Sequence, residues 1–187
     1  MRHFCYIEPD NNINLLLIMK NGLLSELKFL KGKEELDTVV QDNDLVEDCN
    51  LFSGIVEQIV EYFEGKRKGF NIEYVLEVAG YNLTVLKNTK NIPYGRVATY
   101  RDLSLICKSP KAWRATGNAL SANPLPIIIP CHRVVRSDRR TGNFGRFPEI
   151  KRYLLELEGV KFTDGRIDKS YFISPDQYLF METERIS

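Results

Sequence analysis

Two apolar runs, INLLLIM and LLSELKFL, stand on either side of Lys20-Asn21-Gly22. No other feature constrains the first half of the chain as much. Asn-Gly tolerates positive φ at both central positions of a type I′ turn, and that turn joins antiparallel strands with the correct twist. A hairpin is expected here. An acidic, turn-rich stretch from Glu34 to Asn50 follows it. Then Leu51, Ile55, Ile59, Tyr62 and Phe63 recur at helical spacing before Gly65 closes the segment. Residues 1–80 therefore read as a small antiparallel sheet with a helix packed on it. Nothing in this domain suggests chemistry, so the expectation is a scaffold.

The texture changes around Gly80. Leu83 to Asn88 reads as helix and leads into the turn signature Ile92-Pro93-Tyr94-Gly95. Thr99-Tyr100-Arg101-Asp102 offers a capping hydroxyl with a carboxylate three residues on, opening a short helix with Leu103, Ile106 and Cys107 on one side. Ser109-Pro110 restarts the chain, with Ser109 as N-cap and Pro110 in the first turn of a helix running KAWRATGNAL to just before Asn123-Pro124. Two short helices across a brief polar turn form a helix-turn-helix pattern. The second helix is thin: Ala112, Ala115, Thr116, Gly117 and Ala119 leave Arg114 as the one long cation at its middle. Such a helix brings its backbone close to another surface. The fold class is α/β of the α+β kind: a small N-terminal sheet domain, then a mostly helical domain over residues 81–160 with a winged or helix-turn-helix motif. Residues 161–187 form a C-terminal extension carrying Tyr171, Phe172, Tyr178 and Phe180, with no function evident.

Charge separates the two parts. Residues 1–81 hold eight Lys and Arg against fifteen Asp and Glu, a net of −7. Residues 82–159 hold fourteen against five, a net of +9, so the whole-chain figure of +1 conceals a basic half suited to a polyanion. No apolar run approaches the roughly 18 residues that span a bilayer, and MRHFCYIEPD lacks the apolar core of a secretory signal. An intracellular protein is expected. Cys5, Cys49, Cys107 and Cys131 form no CxxC pair, and His3 and His132 are the only imidazoles. Reduced thiols and no metal are the expectation.

The chemistry gathers at IPCHRVV, Ile129 to Val135. Ile127 to Ile129 reads as a buried strand that ends at Pro130, placing Cys131 at its edge. Thiolate formation needs a nearby cation or a proton acceptor, and His132 and Arg133 follow directly. Adjacent side chains on a strand face opposite ways, so Cys131 and His132 communicate only through a bend after Pro130 or a bridging water. Glu149 to Leu157 reads as a helix with Tyr153, Leu154 and Leu157 apolar and Gly159 as its C-terminal cap. Glu158 sits at the end of that helix, where the dipole disfavours an anion, so another partner is expected. A relay in which Glu158 orients His132 and His132 accepts the Cys131 proton fits these positions.

IPCHRVV, together with TYRDL, RATGNALSANPLPIII and LLELEG, resembles the O6-alkylguanine-DNA alkyltransferase family over Ile92 to Gly159. The resemblance implies a ribonuclease-H-like first domain and direct reversal of damage in duplex DNA. O6-alkylguanine, and possibly O4-alkylthymine, is the implied substrate, with no cofactor and a monomeric protein. It implies that Cys131 takes the alkyl group irreversibly and that His132 and Glu158 complete the relay. Tyr100 helps turn the nucleotide out and meets the guanine, and Asn123 ties the recognition helix to the cysteine segment. Arg114 enters the duplex in place of the extruded base. Ala115, Thr116, Gly117, Asn118, Ser121 and Arg133 are the further DNA contacts expected, and Val134, Phe144, Gly145 and Arg146 the pocket wall. The loop Gly142-Asn143-Phe144-Gly145-Arg146-Phe147 departs from the family's GxYxGG-like pattern, and Thr116 stands where valine is commoner.

Three other readings compete. A non-catalytic lesion sensor of the alkyltransferase-like kind would replace the cysteine. A helix-turn-helix regulator with a redox cysteine would need more base-reading side chains than the thin helix carries. A thiol hydrolase would turn over repeatedly.

Overall fold

The computed structural model describes residues 2–10, 13–43 and 45–186. Asp44, in the acidic stretch, and Ser187, at the end of the extension, lie outside them. The chain divides into two compact units, Met1–Glu77 and Val78–Ser187.

In the first unit three strands, β1 (Arg2–Asp10), β2 (Ile13–Lys20) and β3 (Leu23–Leu30), pair antiparallel in chain order. Asn21 and Gly22 take φ of 52° and 80°, so the hairpin turn is of the mirror-image type its sequence demands. A two-residue β4 (Val46–Glu47) adds to the far side of β1 in parallel, giving the order β3-β2-β1-β4 and making the sheet mixed rather than purely antiparallel. Two helices accompany it, not one. The stretch expected as acidic turns contains α1 (Lys33–Asn43), whose Leu36, Val39 and Val40 pack with Phe4, Leu16, Ile18 and Leu30. Leu36, Val39 and Val40 recur at helical spacing, a signal masked by the surrounding acids. Leu15 and Leu17, alternating with Leu16 and Ile18, are fully buried as well, and α2 (Ser53–Phe63) packs against β1. A central strand buried on both faces reads as one apolar run, as INLLLIM does.

The expectation of reduced thiols fails for one pair. Cys5 and Cys49 are joined, with Cα atoms 4.7 Å apart, fastening β1 to the turn that precedes α2. Spacing alone does not show this, because the sheet brings together residues 44 positions apart.

The second unit holds α3 (Gly80–Lys90), β5 (Ala98–Thr99), α4 (Tyr100–Ile106), α5 (Trp113–Ser121), β6 (Val134–Val135), α6 (Pro148–Leu157), β7 (Phe162–Thr163), β8 (Arg166–Ile167) and α7 (Pro175–Ile186). Thr99 and Asp102 form the full capping box, so the first residue of α4 is fixed as Tyr100. α5 begins later than its sequence suggests. Ser109 to Ala112 is a turn, closed by Ala112 N–H on the Ser109 carbonyl, and the helix starts at Trp113 with no side-chain cap. α4 and α5 pack together, and α3 packs on α5. β5 and β6 pair in parallel with Ala98 opposite Val134 and Thr99 opposite Val135, which sets Tyr100 beside the segment that follows Cys131. Residues beyond 160 belong to this unit: Val160 and Ile167 share a core with Val97, Val135 and Leu155. Phe172 bridges Val97, and the Tyr178 hydroxyl donates to the Asn88 carbonyl at 2.7 Å.

Candidate active site

Ile127 to Ile129 is not a strand. Ile127 has φ of 73°, and the stretch is a tightly turned buried loop closed by Ile129 N–H on the Leu125 carbonyl at 2.8 Å. Three isoleucines and three prolines supply burial without a ladder: the prolines lack the N–H groups a sheet needs. Cys131–Arg133 then forms one turn of 3-10 helix, the bend that frees Cys131 and His132 from opposite strand faces.

Asn123 organises this turn. Its Nδ2 donates to the Ile129 carbonyl at 2.8 Å and to Cys131 Sγ at 3.2 Å, while its Oδ1 accepts from Leu125 N–H at 3.1 Å. Cys131 is 7% exposed. Burial pushes its thiol up, opposed by the Asn123 hydrogen bond, the Lys151 ammonium and backbone N–H groups. The sulfur is therefore stored as thiol, not as a standing thiolate, and needs an acceptor for its proton.

His132 follows in the same turn. It is fully buried, and burial holds its pKa down despite the adjoining carboxylate. Its Nε2 lies 2.8 Å from Glu158 Oε1. Burial alone would raise Glu158, but His132 and then Arg133, each by electrostatic attraction and hydrogen bonding, outweigh it and hold the carboxyl well below the usual range. An ionised Glu158 only accepts, so Nε2 carries the hydrogen and Nδ1 is left as a bare lone pair. Nδ1 is buried and has no hydrogen-bond partner in the described protein.

Arg133 is 6% exposed and does not face DNA. Its Nε and Nη2 grip Glu158 at 2.9 and 2.8 Å as a bidentate fork, and Nη1 donates to the Ile92 carbonyl at 2.6 Å. Every arm of the guanidinium is committed inward. The Ile92-to-Gly95 turn closes this cage: Gly95 N–H donates to Glu158 Oε2 at 3.1 Å, and the Tyr94 ring lies 5.7 Å from the Arg133 guanidinium carbon. Gly95 has φ of +69°, and a Cβ there would stand 2.9 Å from the Glu158 carbonyl oxygen, so the position requires glycine.

Lys151 escaped the sequence reading. It is 1% exposed, donates to the Val134 carbonyl at 2.6 Å, and makes long 3.5 Å contacts to Tyr100 Oη and the Asn143 carbonyl. Burial lowers its pKa to about 8, with the neighbouring Cys131 acting the other way. The signal was present: Ile150, Lys151, Leu154, Leu155 and Glu158 recur at the spacing of one helix face, so a lysine and a glutamate lie on the buried stripe of α6.

Tyr100 is half-buried, and burial, then the Cys131 charge, push its phenol up, so it stays a donor. On α5, Arg114, Ala115, Asn118 and Ser121 are exposed, while Gly117 lies against the Tyr100 ring, where a Cβ would meet it at 3.9 Å. Thr116 is not available to DNA. It is fully buried, and its hydroxyl pairs with Tyr81 Oη at 2.7 Å and the Ala112 carbonyl at 3.1 Å, tying α5 to α3. The Val134 side chain, expected in the pocket wall, is fully buried in this structure. Phe144 is half-buried, Gly145 and Arg146 are exposed, and the Arg146 guanidinium sits 5.3 Å from the Phe147 ring. The Asn143 carbonyl, on Lys151, joins this loop to the site.

Residues 81–160 match the DNA-binding domain of 6-O-methylguanine DNA methyltransferase, and residues 14–75 match the ribonuclease-like domain of the same family. The chain belongs to the 6-O-methylguanine DNA methyltransferase family. Among its relatives, a methylated-DNA–protein-cysteine methyltransferase of Haemophilus influenzae is 40% identical over 161 residues, covering 85% of this chain and 88% of the relative. One from Methanosarcina barkeri is 36% identical over 144 residues, covering 77% and 89%. The Mycobacterium tuberculosis O6-methylguanine methyltransferase superposes with a TM-score of 0.75 at 32% identity, covering 84% of this chain and 93% of that one. A structure of the same organism's protein in complex with DNA gives 0.73 at 29% identity, covering 95% and 99%. The two methyltransferase domain matches fall one in each compact unit, and every residue of the Cys131 cage lies in the second.

Proposed function

We infer that this methyltransferase repairs DNA by drawing an alkyl group from O6 of guanine in duplex DNA onto the sulfur of Cys131, once per molecule. The observation that carries this is the neutral His132 ring, held by Glu158 at Nε2 and left with a bare Nδ1 beside the cysteine turn. The Cys131 proton moves to Nδ1, directly or through one water, as sulfur attacks the alkyl carbon. The carbon–oxygen bond breaks, and the electron pair leaves with guanine, whose oxygen takes a hydrogen bond from the Tyr100 hydroxyl. Lys151, close enough to feel the Cys131 charge, steadies the thiolate during transfer. The product thioether has no labile bond.

O6 lies within the base stack, so the nucleotide must leave the duplex at a cost of roughly a few kcal/mol. Arg114, exposed on the thin face of α5, fills its place, and the basic charge of this unit offsets part of the cost through phosphates. On this reading residues 1–80 are a scaffold, residues 81–160 bind DNA and react, and the protein acts as a monomer in the cytoplasm, or the nucleus of a eukaryote, where the genome is. The retained Cys131 and the scarcity of base-reading side chains on α5 disfavour a lesion sensor and a transcription regulator. The test is intact-mass measurement after mixing with a duplex carrying one O6-methylguanine. The expected result is one added methyl at Cys131, at no more than one equivalent, and none with Cys131→Ala. Repeated turnover, or methyl gain at another residue, refutes it.

A further inference from the structure

Thr116 stands where valine is commoner, and its hydroxyl has no part in the transfer described above. The side chain is fully buried in α5, where a methyl group would fill the same space without a polar atom to desolvate. The hydroxyl is instead paired on both sides. Its one hydrogen goes to the Ala112 carbonyl at 3.1 Å, so in the 2.7 Å contact with Tyr81 the phenol donates and Thr116 accepts. Tyr81 lies in the first turn of α3, 35 positions away in the chain. The Ala112 carbonyl also takes Thr116 N–H at 2.8 Å, so the Tyr81 contact is the one bond that only the threonine hydroxyl can make.

We propose that Tyr81 and Thr116 are positioning residues for lesion extrusion: their hydrogen bond locks the rotation of α5 on α3, and with it the direction in which Arg114 leaves the helix. α5 has little else to hold its angle. No side chain caps its N-terminus, and Ala115, Gly117 and Ala119 give shallow ridges that resist rotation against a neighbour weakly. A buried polar pair adds little net stability but specifies one register, because any other leaves a hydroxyl unpaired. Successive helical residues turn by about 100°, so Thr116 and Arg114 stand about 160° apart, on nearly opposite faces. Thr116 is accordingly buried toward α3 while Arg114 is exposed. A bond fixed on the inner face thus aims the side chain on the outer one. The proposal rests on the repair reading and assigns the two residues to its extrusion step, with no contact to nucleic acid.

The test separates positioning from stability. Single-turnover methyl transfer is measured from a duplex carrying one O6-methylguanine and from the O6-methylguanine nucleoside, which needs neither extrusion nor Arg114. Thr116→Val, nearly the same in shape, should slow transfer from the duplex about five- to tenfold, the effect of one net buried hydrogen bond, and leave the nucleoside rate within about twofold. Thr116→Ser keeps the hydroxyl and should keep most of the duplex rate. Tyr81→Phe should match Thr116→Val. The double variant leaves neither hydroxyl unpaired, so it should regain the parent's urea midpoint and still transfer slowly from the duplex. Equal slowing on duplex and nucleoside overturns the proposal, as does a double variant whose duplex rate recovers with its stability. So does a Thr116→Val duplex rate within about twofold of the parent. Failure of the repair reading is separate and visible beforehand, as absence of methyl transfer by the unsubstituted protein.

Discussion

Replacing Glu158 by glutamine tests the cage around His132. The two side chains have nearly the same shape, so packing is kept and only the charge and one acceptor are lost. Arg133 then remains in a site where its side chain is 7% exposed, with Nε and Nη2 facing an amide that can turn only one oxygen toward them. Removing one partner of a buried ion pair costs about 3–5 kcal/mol. The pH dependence sharpens the expectation. Glu158 has a folded pKa held below its ordinary 4.5, so its contribution is complete above pH 4.5 and is lost as pH falls toward the folded value. One proton bound on unfolding corresponds to about 1.4 kcal/mol per pH unit. The gap between parent and Glu158→Gln should therefore be constant from neutrality to about pH 5 and narrow at about that rate in stronger acid. Urea unfolding followed by Trp113 fluorescence, which reports the unit containing the cage, measures it at each pH. A loss below about 1 kcal/mol at neutral pH, or a gap that stays constant down to about pH 3, refutes the picture of an ionised carboxylate held between His132 and Arg133.

Three further outcomes are expected. The single-turnover transfer rate should hold steady as pH falls through 6.5, because burial keeps His132 neutral below its ordinary value, and should decline as pH rises through about 8 with loss of the Lys151 charge; half-loss at 6.5 in a stopped-flow pH series counts against a buried base. Gly95→Ala forces a side chain into φ of +69° against the Glu158 carbonyl, so it should lower unfolding free energy by about 1–3 kcal/mol and slow transfer, whereas unchanged urea midpoint and rate refute the close approach. Cys49→Ala opens a link between residues 44 positions apart, and the chain-entropy treatment gives a loss of about 4 kcal/mol in the first unit; an unfolding midpoint by circular dichroism that is indifferent to both the substitution and reductant shows that the two sulfurs are not joined.

Local rules carried much of the architecture because their physics is local. Asn21-Gly22 dictates its turn, Thr99 and Asp102 dictate where α4 starts, and Gly159, with φ of 82°, ends α6. The chain alone also singled out Cys131, His132 and Glu158, since sulfur, imidazole and misplaced carboxylate are rare enough to be informative, whereas Asn123 entered only through the family resemblance. Side-chain direction was not legible. Arg133 and Thr116 read as DNA contacts because both belong to motifs beside exposed residues, yet burial turned one toward Glu158 and the other toward Tyr81. Strand and buried loop were also indistinguishable at Ile127 to Ile129, where apolarity signals burial but proline removes the ladder.

What the sequence determined by itself is the set of reactive groups and the turns and caps that space them, because those depend on residues within a few positions of one another. What the tertiary structure alone decided is which state each group is held in. Thiol rather than thiolate at Cys131, a neutral ring at His132, an ionised Glu158 and a lysine with a pKa near 8 follow from burial and from partners brought in from elsewhere in the unit. Desolvation and charge act through space, across separations such as the 63 residues between Gly95 and Glu158, and no local pattern in the chain encodes them.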